Sequence, residues 1–473
     1  MRYVSRLAVP VSAADLFRWH ERPGAFERLT PPWQPVSLAS HKGIRDGDRA
    51  VLRLGTRPVG LDWVAEHRGY DDGCLSNDGP CGFEDVQVRG PFGSWHHRHR
   101  MLPAEDGSIL EDDVEYELPL APLSRVASGV SEAQIERLFA YRHRVTHEDV
   151  RRHAEAGLEP MTVAVTGASG LVGTALTAFL MGGGHTVVRL VRRREDAVSR
   201  GPQDRAVYWN VDRGEIDQAA LAEAAPDAVV HLAGEPITAL DGTTEIRRRI
   251  WESRTKGTAL LARALAALPS PPSVLVSASA SGIYGDRGDR VLTEAAAPGD
   301  GFLPDLCVAW EAATEAAEAA GIRTVHARIG LVTTPTGGVL QALKIPGLLG
   351  LGGWPGRGRA WWPWIALDDV VYALHHAIAD ETMEGPVNFS APEPVRTKAY
   401  VKTLGDVLDR PAVVRVPEAA VRVAGGELAR RVALASVRML PSRLLDHGFR
   451  FATPDLSLAL SHQLGRLDAH TLP

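Results

Sequence analysis

The feature that most limits what this chain can fold into is a glycine turn set between a strand and a helix. The Val-rich run TVAVT leads directly into Gly167-Ala-Ser-Gly170-Leu-Val-Gly173, and the helix-forming stretch TALTAFLMGGG follows. In such a turn the first glycine allows the sharp exit from the strand. The second lets the backbone approach a pyrophosphate, and the third lets the helix pack close to the sheet. The helix N-terminus then offers unpaired N–H groups and the positive end of its dipole to phosphate oxygens. A glycine motif alone is weak, but its position between strand and helix in a βαβ unit gives it weight. It predicts a dinucleotide site with Gly167, Ser169, Gly170, Leu171, Val172 and Gly173 around the phosphates.

The next strand-like run, TVVRLV, ends in Arg192-Arg193-Arg194. An NAD site usually carries Asp or Glu here to hold the ribose 2′-hydroxyl, whereas guanidinium groups suit a 2′-phosphate. Arg192 and Arg193 therefore point to NADP(H). Glu195 and Asp196 follow, which leaves NAD(H) open as the lesser alternative. Two later runs have the form of buried strands ending in small-residue turns. DAVVHLAG contributes Leu232, Ala233 and Gly234, and SVLVSASASGIYGD contributes Ser277. A ligand of a doubly wound sheet lies against such strand ends. His231, inside an apolar run, reads as a satisfied core residue rather than a catalyst.

From residue 161 to about 416, short apolar strands alternate with helical stretches, the pattern of a parallel sheet covered on both faces. The fold class expected is thus α/β, a Rossmann-type doubly wound parallel sheet. Residues 1–157 differ, with a strand, a helix started by Ser12 and Asp15, several short strands and a long amphipathic helix carrying Ile135, Leu138, Phe139, Arg142 and Val145. Residues 417–464 read as a small helical segment. A chain of 473 residues has room for these three domains. The formal charge of −6 gives no reason to expect a nucleic-acid partner, and no apolar run is long enough to span a membrane. Three cysteines, Cys74, Cys81 and Cys307, make no disulfide framework, and the N-terminus has no secretory layout, so a reduced, cytoplasmic protein is expected.

TGASGLVG, DAVVHLAG, HLAGEPI, the SASASGIYGD turn, CVAWE, RIGLV and WWPWIALDD together resemble the atypical short-chain dehydrogenase/reductases known as the epimerase family, which are NAD-dependent epimerase/dehydratase-like. The resemblance covers residues 161 to about 416 and implies a small C-terminal domain of unknown function over 417–464. Residues 1–157 resemble an SRPBCC/polyketide-cyclase-like helix-grip domain, an α+β fold with an antiparallel sheet around a long helix.

The superfamily's usual chemistry uses Tyr-x-x-x-Lys as acid/base, with a Ser on the substrate carbonyl. Reading GFLPDLCVAWEAATEAAEAA against that motif places Leu306 at the Tyr position and Trp310 at the Lys position, and neither transfers a proton. The Ser position falls on Ala280, flanked by Ser279 and Ser281. Tyr284, Ser281 and Asp286 lie on the loop at the strand end as the available acids, Tyr284 and Ser281 being the catalytic candidates, and Ala280, Trp310 and Trp364 are expected as substrate contacts. For Tyr284 the alternative is packing of the cofactor pocket. The glycine-rich stretch with Trp354, Arg357 and Arg359, ahead of Trp361, Trp362 and Trp364, reads either as a lid over an apolar substrate or as a structural loop.

Two functions stand. One is an NADP(H)-dependent oxidoreductase or epimerase-like enzyme acting on a small, apolar carbonyl or alcohol. The other is a non-catalytic NADP(H)-binding sensor or ligand carrier. The helix-grip resemblance implies a hydrophobic ligand in the N-terminal domain, with Trp63, Phe83, Trp95 and Phe139 as lining or core. His97 and His99 share one face of a strand. With no carboxylate in the same segment they read as a polar sheet face, and no metal is expected.

Overall fold

The computed structural model describes residues 1–55, 60–77, 79–119, 128–236, 243–421, 423 and 433–467. Its contacts divide it into two units. One is Met1–Glu159 with Ala178–Gly184 and the residues from Leu464, and the other is Pro160–Thr177 with His185–Gln463.

The first unit runs β1 (Arg2–Val9), α1 (Ala13–Glu21), β2 (Val36–His41), β3 (Arg49–Leu54), β4 (Leu61–Asp71), β5 (Cys81–Arg89), β6 (Ser94–Ala104), β7 (Gly107–Glu117) and α2 (Ser128–Ala156). The strands form one sheet in the order β1-β7-β6-β5-β4-β3-β2, antiparallel at every pairing. The start of α1 is fixed by Ser12, whose Oγ accepts from the Asp15 N–H at 3.1 Å, the capping geometry expected from the sequence. Period-two alternation splits β6 between two faces. Trp95, His97, His99 and Met101 are buried. On the other face Arg98 pairs with Asp113 at 3.2 Å and His96 with Glu84 at 2.6 Å. Ile135 and Phe139 of α2 form a buried cluster with Trp95, Val114 and Tyr116 of the sheet. Phe83 belongs to a second core with Leu16, Phe17 and Met101.

The cysteines correct one expectation. Cys74 and Cys81 are joined in a disulfide across a Cα separation of 5.3 Å, so only Cys307 is a free thiol, and it is buried. Spacing along the chain gave no hint of this. The bridge forms because a short helix, Cys74–Asn77, turns the chain back to the start of β5.

The second unit begins with β8 (Thr162–Thr166), α3 (Leu171–Gly182, of which Ala178–Gly182 is counted with the first unit), β9 (Thr186–Val191), β10 (Asp204–Asn210), β11 (Glu215–Ile216), β12 (Ala228–His231), α4 (Thr244–Ala266), β13 (Val274–Ala280) and α5 (Phe302–Ala312). It continues with β14 (Arg323–Ile329), α6 (Leu367–Ala379) and β15 (Gly385–Phe389). These strands form an eight-stranded sheet in the order β11-β10-β9-β8-β12-β13-β14-β15. All pairings are parallel except the short edge β10–β11. The Val-rich runs of β8, β9, β12 and β13 are almost wholly shielded from solvent, as parallel strands covered on both faces must be. Strand order reverses between β8 and β12, so the crevice for a ligand opens at their carboxyl ends.

The C-terminal part of this unit is held by polar anchors as well as packing. Arg438–Met439 pairs with Val291–Leu292. Asp369, buried in the first turn of α6, accepts the backbone N–H groups of Ala452 at 2.7 Å and Thr453 at 3.1 Å. The expected small helical domain is described in part, with helices at Ser442–Asp446 and Leu456–Leu464. Residues 422 and 424–432 of that expectation lie outside the described residues, as does Ile237 of HLAGEPI.

Candidate functional site

At the switch point the glycines are required by space as well as by conformation. Gly167 has φ +68°, and a Cβ there would stand 2.9 Å from the Ala233 nitrogen. A Cβ on Gly173 would stand 2.1 Å from the Gly167 carbonyl oxygen. Gly170 is exposed, donates its N–H to the Gly167 carbonyl at 2.9 Å, and opens the first turn of α3. Ser169 is exposed and Leu171 and Val172 are partly so, which leaves this stretch open to a phosphate.

His231 ties the neighbouring loop to β8. Thr166 Oγ1 accepts the N–H groups of Leu232 at 3.0 Å and Ala233 at 3.1 Å. Its own proton then goes to His231 Nδ1, 2.7 Å away, and His231 Nε2–H donates to Thr258 Oγ1 at 2.9 Å. Burial, helped by Arg254, pushes the imidazole down to about 4. His231 is thus the satisfied core residue expected, and through Thr166 it also positions Leu232 and Ala233.

Beyond β9, Arg192 and Arg193 are exposed, while Arg194 is engaged with Glu215 and lies over the Tyr208 ring at 4.1 Å. Ser277, the other expected contact, is buried with a hydroxyl that meets no hydrogen-bond partner among the described residues. The sequence reading missed Arg254. It is 7% exposed, donates to the Glu235 carbonyl at 2.9 Å, lies 4.9 Å over the Trp310 ring, and has an Nε with no partner. A Cβ on Gly234 would stand 3.2 Å from its guanidinium. The available signal was an Arg within the apolar stripe Ile250, Thr258, Leu261 and Leu265 of α4. Open glycine backbone, two free arginines and unpaired polar atoms at Ser277 and Arg254 together fit a dinucleotide with an extra phosphate.

An epimerase family protein of Mycobacterium bovis is 39% identical to this chain over 304 residues, covering 64% of this chain and 98% of that protein. The chain belongs to the epimerase family. The NAD-dependent epimerase/dehydratase family matches residues 163–389, and a domain of unknown function, DUF1731, matches residues 416–463. A crystal structure described as the nucleoside-diphosphate sugar epimerase of Corynebacterium glutamicum is 32% identical, covers 99% of this chain and 91% of its own, and has a TM-score of 0.78. The human epimerase family protein SDR39U1, solved with NADPH, is 30% identical, covers 65% of this chain and 100% of its own, and has a TM-score of 0.57.

Within this epimerase-family fold, the positions that correspond to the acid/base pair are closed. Leu306 is 1% exposed and packs with Ile250, and Trp310 is 6% exposed. Tyr284 has no exposed surface; its hydroxyl donates to Asn388 Oδ1 at 2.6 Å and accepts from Arg328 Nη1 at 3.0 Å. Burial pushes its phenol up against the opposing pull of Arg328. Arg328 in turn makes two 2.9 Å bonds to Glu311, which also accepts from Ser279 Oγ at 2.6 Å. The candidate acid Tyr284 is therefore an internal member of a buried network. Ser281 and Ala280 are partly exposed at the strand end. Trp364, expected at the substrate, is fully buried with Nε1 donating to the Glu393 carbonyl at 3.0 Å.

Of the two readings of the glycine-rich stretch, a lid or a structural loop, the geometry favours the loop. Arg357 and Arg359 line a cavity of about 730 Å³ with Asp289, Arg396, Lys398 and Lys402. Trp361 donates to Asp289 at 2.7 Å, and Arg396 bridges Asp289 at 3.0 Å while lying over the Trp361 ring. The indoles here pack structure, and the open space is cationic.

His97 and His99 likewise depart from the plain polar face expected. Each is buried beside carboxylates that come from neighbouring strands, Asp85 of β5 and Asp112 of β7. Burial pushes the Asp112 carboxyl up, but His143, His97 and His99 outweigh it and hold it well below the usual range.

Proposed function

We propose that this epimerase-family chain binds NADP(H) across the Gly167–Gly173 turn and acts as an oxidoreductase on a small carbonyl or alcohol. The observation that carries the reading is the pair of exposed arginines, Arg192 and Arg193, after β9, whose side chains meet no ion-pair partner among the described residues. The NADPH in the human relative supports the same choice, with NAD(H) the weaker partner. When bound, the nicotinamide supplies or accepts a hydride. Gly170, Leu171 and Val172 seat the pyrophosphate, Arg192 and Arg193 hold the 2′-phosphate, and Leu232, Ala233, Gly234 and Ser277 wall the crevice. Ser281, beside Ala280, is the hydroxyl within reach of solvent that orients a substrate carbonyl and relays a water proton. Tyr284 and Trp364 are enclosed and make no contact with substrate in this reading. The substrate we read is small and apolar, and the cationic cavity beside Arg396 adds an anion-bearing carbonyl as the alternative.

A second reading is favoured by Leu306 and Trp310. A domain that binds NADP(H) with no acid/base pair serves as a redox sensor or ligand carrier. We further read the first unit as a helix-grip domain of the SRPBCC type, taking a small ligand, and the chain as cytoplasmic. No described helix is long and apolar enough to cross a membrane.

The test is a fluorescence titration with NADPH and NADH of the wild type and of Arg192→Ala/Arg193→Ala, followed by a carbonyl panel with and without anionic groups. Selective loss of NADPH binding in the double variant, with turnover in the wild type, supports the enzyme. Tight NADPH binding without turnover on the panel supports the sensor. No binding of either dinucleotide removes both.

A further inference from the structure

We propose that Asp85, His97 and His99 ligate a divalent transition-metal ion on the inner face of the antiparallel sheet of the first unit. The three residues come from adjacent rungs, with Asp85 opposite His97 and Phe83 opposite His99 in the β5–β6 register. Asp85 Oδ2 lies 3.7 Å from His97 Nδ1 and 3.3 Å from His99 Nε2, and one ligand atom from each of the three residues falls within 4.8 Å of the others. A tetrahedral ion with bonds of about 2.0–2.1 Å needs donors roughly 3.4 Å apart. Two of the three donor pairs therefore already stand close to the edges of such a site, on strands held by the full sheet ladder.

The outer contacts are those a metal site needs. A ligating imidazole presents one nitrogen to the ion and gives the other to a carboxylate, which fixes its ring. Of the nitrogens turned away from Asp85 Oδ2, His97 Nε2 makes that bond to Asp112 Oδ1 at 2.9 Å, while His99 Nδ1 lies 2.9 Å from the same oxygen but off the hydrogen-bonding direction. Asp112 is itself fixed by His143, whose Nε2 lies 2.8 Å from Oδ2. On the opposite side His67 Nδ1 lies 2.8 Å from Asp85 Oδ1, off the hydrogen-bonding direction, and His67 Nε2 is buried without a partner. The rings of His97 and His99 are 3.8 Å apart between centroids. Two imidazolium ions at that distance repel each other, whereas two neutral imidazoles facing one cation do not. Phe83 stacks on His99 at 4.4 Å and Phe139 meets His97 edge-on at 5.3 Å, which gives the site an apolar wall. Two imidazoles with one carboxylate and no thiolate suit Zn²⁺ or Fe²⁺.

The experiment uses the full chain. Metal content of the protein as isolated is measured by elemental analysis, and chelator-stripped protein is titrated with Zn²⁺ alone and with Fe²⁺ alone against a chromophoric chelator. Wild type, Asp85→Asn, His99→Gln, Asp112→Asn and His96→Gln are compared. The expected result is one equivalent of zinc or iron in the wild type and in His96→Gln, whose side chain faces the other side of the sheet. That equivalent is lost in Asp85→Asn and His99→Gln and bound about 10–100-fold more weakly in Asp112→Asn. A wild type that takes up no stoichiometric ion overturns the proposal, as does uptake that survives in Asp85→Asn and His99→Gln. Should those two variants lose their near-ultraviolet circular dichroism, Asp112→Asn and the thermal midpoint of the wild type decide the matter. Zinc or iron must raise that midpoint, because an ion that binds only the folded state stabilises it.

Discussion

Glu311 of α5 and Arg328 of β14 meet through two parallel hydrogen bonds of 2.9 Å, with side chains only 13% and 8% exposed. This pair occupies the ground beside β13 where the family's proton chemistry would be sought, and it uses that ground for structure. Removing one partner of a buried ion pair leaves the other charge uncompensated, at a cost of about 3–5 kcal/mol. Glu311→Gln is expected to lower the unfolding free energy measured in urea by an amount in that range. A change within the error of the measurement would show that the pair is not holding α5 to the sheet.

Tyr284 extends the same network, so its hydroxyl should matter to stability and not to binding. Tyr284→Phe leaves Arg328 Nη1 and Asn388 Oδ1 each short of a partner, which costs about 1–3 kcal/mol. NADPH affinity and any turnover are expected to stay at the wild-type level. Turnover lost in a variant of unchanged stability would return Tyr284 to the chemistry.

Two glycines of the turn should respond differently. Gly173→Ala places a methyl against the Gly167 carbonyl and the Ala168 Cα, both backbone atoms that cannot swing aside, so it is expected to unsettle the turn, lower the thermal midpoint and abolish NADPH binding. A Cβ on Gly170 meets only the Gly167 oxygen, at 3.1 Å. Gly170→Ala should therefore keep the wild-type midpoint while weakening NADPH, because its methyl projects from open backbone. Equal loss of stability in both variants would contradict that division.

How much of this was legible in the sequence depends on the range of the interaction. The turn at Gly167–Gly173, the buried His231 and the free Arg192 and Arg193 are local consequences of strand, turn and helix, and each could be read in order along the chain. Asp85 and Asp112 sit 12 and 15 residues from His97, so their approach to it depends on the antiparallel register, and no segment-by-segment reading brings them together. The Cys74–Cys81 bridge and the pairing of Glu311 with Arg328 likewise arise from where elements return. Trp364 shows the converse error. An aromatic run beside glycines looked like a ligand wall, but each indole had already found an internal acceptor.

The cysteines should be distinguishable by reagent. Burial, reinforced by Glu311, pushes the Cys307 thiol up to about 12. A folded-state value raised above the ordinary one means stability that is present below pH 9 and is lost as pH rises from there towards 12. At pH 8 a disulfide reagent is expected to find no reactive thiol in the native, unreduced protein and one after unfolding. Reduction before unfolding should raise the count to three, since Cys74 and Cys81 are then released. A native-state thiol that reacts without reductant would show that α5 opens or that the bridge is absent.

His231 links acid sensitivity to the crevice. In the native fold it takes a proton only near pH 4, because of burial first and Arg254 second, while an unfolded histidine takes one near 6.5. The folded value is depressed, so the stability it contributes is complete above pH 6.5 and is lost as pH falls towards 4. The difference is on the order of 3 kcal/mol at the acid end. Protonation at Nδ1 also removes the acceptor for the Thr166 hydroxyl, and that oxygen holds the Leu232 and Ala233 N–H groups. Denaturant unfolding of the wild type and of His231→Gln should therefore show a shallower acid limb in the variant. NADPH affinity of the wild type should decline over the same window and decline less in the variant. If the two proteins lose stability in parallel between pH 6.5 and 4, the acid limb belongs to other groups and His231 plays no part in it.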